Sequence, residues 1–244
     1  MSDMGQSCAH PIRLMRVAPL CVIVWVAACG LMTAGPSWAA AIKGSVHLTG
    51  AGLEQKKLPV TVDHSVCGKE KEVQDVLISA GRGIRNVVVS LQNPPPDATW
   101  KAPLSPVQVD QQQCVFVPRV VIVPVGGTVE FLNSDRLLHN IRGRATVNRP
   151  FNRTQPKGRT IPMVFQKAEV VRVDCDLHPW MRAWVVVAEH PFYTITNDQG
   201  EFLLDNVPPG RYTIQLWQEA LGTVTKDVSV ADGVTTVTVE MSRK

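Results

Sequence analysis

One short stretch of this chain concentrates the side chains best suited to hold a metal ion. Cys175, His178 and Met181 occur within seven residues, Cys-Asp-Leu-His-Pro-Trp-Met, with Val-rich runs before and after them. On a loop between two strands, the three side chains can face one point. Soft sulfur ligands combined with imidazole suit copper, whereas zinc makes little use of a thioether. The spacing therefore predicts a copper site on this loop, with zinc as the competing metal.

The remaining donor of such a site must come from another part of the chain. His139 follows the strand-like run 128–132 and is the best candidate. Two His, one Cys and a weak axial Met form the ligand set of blue-copper electron-transfer sites. Taken singly, the Cys could be buried or disulfide-bonded, the His could cap a loop and the Met could fill the core. The other mature-chain histidines match no metal spacing, and we interpret them as ordinary strand or loop residues: His47, His64 and His190.

The elements that must position these side chains are predicted to be strands. Short Val, Ile, Leu and Thr runs alternate with Gly, Pro, Asn and Asp, and no long stretch has helical periodicity. This pattern is typical of antiparallel β-sandwiches and predicts an all-β protein. The predicted strands are 45–48, 86–92, 115–123, 128–132, 170–174, 183–188, 211–218 and 235–241. Pro-rich residues 93–106 form the best candidate linker, and His190-Pro191 marks a second joint.

The middle of the chain resembles the cupredoxins, in particular amicyanin and plastocyanin. The resemblance rests on Cys175 to Val187, on Val125-Gly-Gly-Thr-Val-Glu-Phe131 and on His139-Asn140, and it covers about residues 107–188. It implies a Greek-key β-sandwich with one type 1 copper. The implied equatorial ligands are His139, Cys175 and His178, the axial ligand is Met181, and the backbone N–H of Asn140 donates to the Cys175 sulfur. The ring edge of His178 is expected at the surface, where Pro179 and Trp180 would form a docking rim or simply pack over the loop.

The last part of the chain is similar to carboxypeptidase regulatory-like (transthyretin-like) domains. The similarity lies in residues 194–204 and 206–214, where Asp198-Gln199-Gly200 and Pro208-Pro209-Gly210 supply turns. Residues 190–244 are short for a two-sheet sandwich, and residues 42–46 and 84–91 resemble the opening strands of the same family. We therefore expect segment 41–105 to pair with the domain 190–244, with the cupredoxin domain 106–189 inserted between them. The alternative is a long N-terminal extension of the cupredoxin.

The N-terminus resembles a bacterial secretory signal over residues 1–40. Arg13 and Arg16 precede an apolar run that ends in small residues before a cleavage site near Ala39 or Ala40. A lipobox-like sequence at Cys29 would instead give a lipidated, membrane-attached protein, and Pro and Gly residues weaken a third interpretation as a membrane anchor. A periplasmic or otherwise exported chain would retain three Cys. With Cys175 assigned to the metal, Cys67 and Cys114 form the only possible intramolecular disulfide.

The predicted function is that of an exported electron carrier rather than an enzyme. The chain contains none of the His-x-His motifs that further copper centres require, and a formal charge of +4 does not favour nucleic-acid binding. The resemblance implies a redox partner such as a dehydrogenase, cytochrome or oxidase. A basic run without acids could steer an acidic partner or could be a solvated loop: Arg136, Arg142, Arg144, Arg149, Arg153, Lys157 and Arg159. Two other functions remain open, namely copper handling and a structural or glycan-binding protein with a vestigial copper site.

Overall fold

The protein is described by a computed structural model over residues 40–50, 56–100 and 105–243. Almost all of the predicted export segment, including Cys29, lies outside these residues. Within them, no helix is long and apolar enough to cross a membrane.

The described chain is nearly all β, which confirms the predicted fold class. One short helix, α1, spans His64–Cys67. The first nine strands are β1 Ala41–Leu48, β2 Lys57–Pro59, β3 Glu70–Glu72, β4 Val88–Leu91, β5 Val107–Gln112, β6 Val115–Val117, β7 Val120–Pro124, β8 Thr128–Asn133 and β9 His139–Arg144. The other nine are β10 Phe151–Gln155, β11 Ile161–Val164, β12 Glu169–Asp174, β13 Arg182–Ala188, β14 Tyr193–Ile195, β15 Glu201–Leu204, β16 Gly210–Gln218, β17 Gly222–Val230 and β18 Val234–Met241.

The middle of the chain forms one sandwich from two sheets. The five-stranded sheet has the order β10-β9-β12-β13-β7, and the four-stranded sheet has the order β11-β8-β5-β6. Alternating residues of facing strands, such as Val129 and Phe131 of β8 and Val171 and Val173 of β12, are fully buried in a shared core. This period of two is what a strand with one buried face requires.

Segments from both ends of the described chain form a second sandwich. The first strand, β1, lies between β15 and β18, and β4 lies between β14 and β16, with β17 at the edge. Strands from before and after the middle sandwich therefore pair directly, for example Ile42 with Leu204 and with Thr235. Their buried side chains form a single core, including Ile42, Val89, Ile214 and Val239.

Segment 41–105 is nevertheless divided between the two sandwiches. Strands β1 and β4 belong to the second sandwich, but Val60 and Cys67 are buried in the core of the first. The intervening residues form the β2-β3 hairpin and α1. Part of the segment expected to pair with 190–244 thus packs on the middle sandwich instead, because its apolar residues are buried there.

The two sandwiches also contact each other through strands β13 and β7. Val186 and Val120 point away from the first core and pack with Val88 of β4. Beside them, the nearly buried Arg119 donates from Nε to Glu219, 2.7 Å away, on the turn between β16 and β17. Strand β13 is thus buried on both faces, which accounts for its unbroken run of Val residues.

The structure corrects two predictions made from the sequence, one about a strand and one about a loop. Residues 115–123 form two strands rather than one, because Pro118 lacks the N–H that a continuous ladder needs. The basic run 136–159 is not simply a solvated loop, since it contains β9 and β10. The basic side chains occupy exposed positions while Ile141 and Phe151 are buried.

Candidate metal centre

Three neighbouring strands position the candidate ligands at one end of the five-stranded sheet. His139 is the first residue of β9, Cys175 directly follows β12 and Met181 directly precedes β13. Strands β9 and β12 are antiparallel neighbours, with Arg142 opposite Asp174, so the start of β9 lies beside the loop that leaves β12. Backbone hydrogen bonds from Met181 N–H to the His178 carbonyl and from Cys175 N–H to the Met181 carbonyl hold the loop in a tight turn.

The structure brings together the donor atoms of His139, Cys175 and His178. The Cys175 sulfur lies 3.5 Å from Nδ1 of His178 and 3.9 Å from Nδ1 of His139. The two Nδ1 atoms are 3.0 Å apart. All three side chains are buried, and Met181, at the end of the same loop, is 1% exposed. The set is therefore able to hold one metal ion.

The distal nitrogen of each imidazole faces a carboxylate. Nε2 of His139 is 2.8 Å from Asp135, and Nε2 of His178 is 3.0 Å from Asp63. An ionised carboxylate only accepts hydrogen bonds, so the proton of each neutral imidazole is assigned to Nε2, which leaves the lone pair on Nδ1. Two lone pairs then face each other at 3.0 Å beside a sulfur. A bound cation would remove the repulsion between these two lone pairs, so the donor set fits a metal ion.

The environment of Cys175 keeps its thiol protonated in the absence of a metal. Burial raises the pKa of this thiol, while the backbone N–H groups of Asn140, Leu177 and His178 act in the opposite direction. Burial likewise lowers the pKa of His139, and its contact with Asp135 opposes the change. Soft sulfur and neutral imidazole are thus held together in a site with little water, where a metal must displace the thiol proton to bind.

Asn140 links the two parts of the chain that supply the ligands. Its side-chain oxygen accepts the N–H of Asp176 at 2.7 Å and lies 3.3 Å from the Cys175 sulfur. Its side-chain amide donates to Asn152 on the neighbouring strand β10. These contacts hold the start of the ligand loop against β9. Sequence reasoning identified this residue by its backbone N–H, and the structure adds these side-chain contacts.

The expectation that the ring edge of His178 reaches the surface is wrong. This side chain is fully buried, because residues 60–67 lie over the ligand loop and place Asp63 against its Nε2. Pro179 is exposed, whereas Trp180 is half-buried and packs on the core of the first sandwich, which agrees with the alternative that it packs over the loop. Its indole N–H donates to the carbonyl of Cys114, and its ring centroid lies 5.3 Å from that of His178.

Cys67 and Cys114 are joined by a disulfide beside the candidate ligands. Both are buried, and their sulfur atoms lie within 4.8 Å of a ring nitrogen of His178. Because each sulfur is bonded to the other, neither is available as a ligand. Among the described residues, Cys175 is the only free cysteine.

The sequence analysis did not identify two residues of the site, Asp135 and Asp63, and only the first could have been proposed from the sequence. Asp135 lies four residues before His139 in the same short connection, so its proximity could have been proposed. Asp63 is 115 residues away from His178 in the chain, and no local pattern connects them. The other histidines take part in different contacts: His47 with Ser45 and Gly81, His64 with Val60, and His190 with Phe192.

The fold and the cluster together define an all-β protein of two sandwiches with a buried group of two His and one Cys that could hold a metal ion. A family model described as polysaccharide lyase family 4, domain II, matches residues 180–238. This stretch includes β13 and the strands β14 to β18 except the end of the last one. The match supports a β-sandwich there, while the more specific resemblance to carboxypeptidase regulatory-like domains stays a prediction. No curated protein matches the chain.

Several copper proteins of known structure resemble part of the chain. A Cu-containing nitrite reductase from Thermus scotoductus SA-01 is 26% identical over 40% of this chain, with a TM-score of 0.34. The match spans 25% of the reductase. A purple cupredoxin from Nitrosopumilus maritimus is 26% identical over 34% of this chain and 99% of its own, with a TM-score of 0.30. A reduced Cu(I) form of an amicyanin mutant is 24% identical over 41% and 98%, with a TM-score of 0.33. Because these TM-scores are low, the similarities support no conclusion about function.

The basic run is partly neutralised beside the ligand loop. Arg142 forms an ion pair with Asp176, and Arg144 forms one with Asp174. Asp174 also contacts Arg172 and Arg182. Burial raises the pKa of Asp174, but Arg144 and Arg172 hold it below its ordinary value. The surface near the site is therefore a mixed network of charges rather than a uniformly basic patch.

Proposed function

We propose that this chain binds one copper ion at His139, Cys175, His178 and Met181 and serves as a non-enzymatic electron-transfer protein. The observation that carries the proposal is the buried convergence of two Nδ1 atoms and one thiol sulfur, all within 4.8 Å of one another. Two imidazoles and a thiolate with a weak thioether are the ligands of blue-copper sites. Copper held there would supply a one-electron couple.

The chain's own residues perform three tasks in this proposal. His139 and His178 are fixed by their carboxylate partners with Nδ1 directed at the sulfur. Asn140 and the backbone hold the ligand loop, so that the ligand positions change little between oxidation states. The apolar core around Cys175 and Met181 excludes water. A centre that is rigid and dry is suited to exchanging electrons with little rearrangement.

The test is the visible absorption of the purified protein loaded with Cu(II). An intense thiolate-to-copper band in the red region is expected for wild type and should be absent from Cys175→Ser. The matched control is Leu177→Ala, which changes an exposed residue of the same loop and should retain the band. A colourless wild-type protein after loading would refute the proposal. Rapid loss of copper to a chelator, despite the band, would favour copper handling over electron transfer.

We also propose that the mature protein is exported. The Cys67–Cys114 disulfide supports this, because disulfides persist in oxidising compartments such as the bacterial periplasm. The signal-like residues 1–40 support it independently. The mass of the mature N-terminus distinguishes cleavage near Ala39 or Ala40 from lipid attachment at Cys29. A full-length chain recovered from the cytoplasm would contradict export.

The partner we propose is a redox protein with an acidic surface. Arg149, Arg153 and Arg159 are exposed in or near β10, whereas Arg142 and Arg144 are already paired with acids. Attraction between exposed charges is screened by salt over about 10 Å at 0.1 M. The rate of electron exchange with an acidic partner should therefore fall as salt is added. A rate that does not respond to salt would exclude this steering.

A further inference from the structure

The most unexpected feature of the metal centre is the stretch of residues that covers it. We call residues 60–67 the cap segment. Within it, Val60 and Cys67 are buried in the first sandwich, and Cys67 is tied to Cys114 by the disulfide. The carbonyl of Cys114 in turn accepts the indole N–H of Trp180 on the ligand loop. The cap segment is therefore anchored at one end directly beside the loop that carries His178.

Asp63 is the residue of the cap segment that contacts the candidate ligands. It precedes α1, where an aspartate side chain normally accepts backbone N–H groups of the first helical turn. Here its side chain makes no such bond, and only its backbone carbonyl accepts the N–H groups of Val66 and Cys67. The carboxylate instead lies 3.0 Å from Nε2 of His178. A typical capping contact is thus replaced by a contact with a candidate ligand.

The backbone of Asp63 is also in an uncommon conformation. Its φ of 55° and ψ of 35° place it in the left-handed region, which costs energy for residues other than glycine and is best tolerated by Asn and Asp. Residues in such conformations concentrate at functional sites, where surrounding contacts hold them. At Asp63, this backbone conformation accompanies the contact between its carboxylate and His178.

We propose that Asp63 is a positioning residue of the metal centre, which holds His178 in its binding tautomer, places a negative charge beside it and closes the centre to solvent. This inference rests on the proposed copper site. A hydrogen bond from Nε2–H of His178 to the carboxylate leaves Nδ1 free to bind the metal. The nearby negative charge stabilises the more positive oxidation state. His178 is fully buried, whereas the side chain of Asp63 is 50% exposed. At this site the carboxylate of Asp63, and not the imidazole of His178, therefore faces the solvent.

The first experiment compares the reduction potentials of copper-loaded wild type, Asp63→Asn and Glu72→Gln. Asparagine tolerates the left-handed backbone, so Asp63→Asn removes the charge with little strain. We expect the preference for Cu(II) over Cu(I) to fall about tenfold, which is an upward shift of about 59 mV for a one-electron couple. Glu72→Gln removes the same charge from an exposed position in β3 and should leave the potential unchanged. Equal potentials for Asp63→Asn and wild type would overturn the positioning role.

The second experiment measures closure by acylation of histidine with diethylpyrocarbonate, followed by peptide mass analysis. His178 of wild type should react at least tenfold more slowly than the exposed His64. Glycine also accepts a positive φ, so Asp63→Gly should open the site without backbone strain and make His178 reactive. Wild-type His178 that reacts as fast as His64 would overturn the closed cap.

The two experiments also separate failure of this inference from failure of the copper proposal. Both ring nitrogens of His178 are buried, so its protection can be measured in metal-free protein. A wild-type protein without the thiolate-to-copper band but with a protected His178 would refute the copper site and leave the cap supported. A protein with the band and a reactive His178 would refute the cap alone.

Discussion

The carboxylate of Asp135 lies 2.8 Å from Nε2 of His139, and it also accepts the backbone N–H groups of Gln113 and Cys114. Those two residues form a turn with positive φ values of 50° and 58°. One buried carboxylate therefore orients a candidate ligand and stabilises the turn that carries one half of the disulfide. The metal centre and the attachment of the cap segment are connected through this residue.

Substitution of Asp135 should weaken metal binding. Asp135→Asn keeps the size of the side chain but removes the charge that orients His139. Loss of such a partner typically lowers metal affinity 10- to 100-fold, and we expect a loss of about this size in a chelator competition assay. Asp110→Asn is the control, because Asp110 contacts Ser134 in the same region but no candidate ligand. Equal copper affinities for Asp135→Asn and wild type would contradict this role.

Removal of the disulfide should destabilise the metal-free protein. Cys67 and Cys114 enclose a loop with a sequence separation of 47 residues, and closing it restricts the unfolded chain. The free energy of unfolding should be lower by about 4 kcal/mol in Cys67→Ser with Cys114→Ser. Urea denaturation of the metal-free protein measures this. Wild type denatured with a thiol reductant should approach the variant, and coincident curves for oxidised wild type and the variant would contradict the prediction.

Removing one partner of the buried ion pair between the two sandwiches should lower the free energy of unfolding. The side chains of Arg119 and Glu219 are 5% and 7% exposed, and Trp184 also donates to Glu219. Glu219→Ala leaves a buried guanidinium without its main partner and should lower the free energy of unfolding by about 3–5 kcal/mol. Adding Arg119→Met should recover part of this loss, because an apolar side chain does not need the partner. Purely additive losses in the double variant would argue against a coupled pair.

Acid should release a contact between the start of β12 and residues 146–148. Burial alone would raise the pKa of Glu169, but the backbone N–H groups of Asn148, Thr146 and Val147 together lower it to about 2 from 4.5. A depressed carboxyl pKa stabilises the fold above the unfolded value, and this contribution is lost as the pH falls from about 4.5 towards 2. Glu169→Gln should therefore be less stable than wild type at pH 7 by about 1–2 kcal/mol, since the group is partly solvated.

The control for this prediction is the same comparison at low pH. Urea midpoints of wild type and Glu169→Gln should converge near pH 2, where the wild-type carboxyl is becoming protonated. A gap that stays constant between pH 7 and pH 2 would show that the charge of Glu169 is not responsible.

Strands with strong local signals were predictable from the sequence. Runs such as Val170 to Asp174 and Ala183 to Ala188 are rich in β-branched residues and match β12 and β13 to within one residue. Strands with charged or polar residues were missed, including β10 and β17, because each presents only a narrow apolar face. Their pairing with neighbouring strands, rather than their own composition, makes them strands.

The sequence by itself determined the all-β class and the compact loop from Cys175 to Met181, because both depend on residues that are close in the chain. The spacing of these donors on one loop indicated the place where the structure collects candidate ligands. Only the tertiary structure decided what surrounds that loop. Asp63 meets His178 across 115 residues, and Glu219 meets Arg119 across 100. Such contacts arise when strands from distant segments pair and bury their apolar faces, and no local pattern of residues encodes which distant side chain will be brought there.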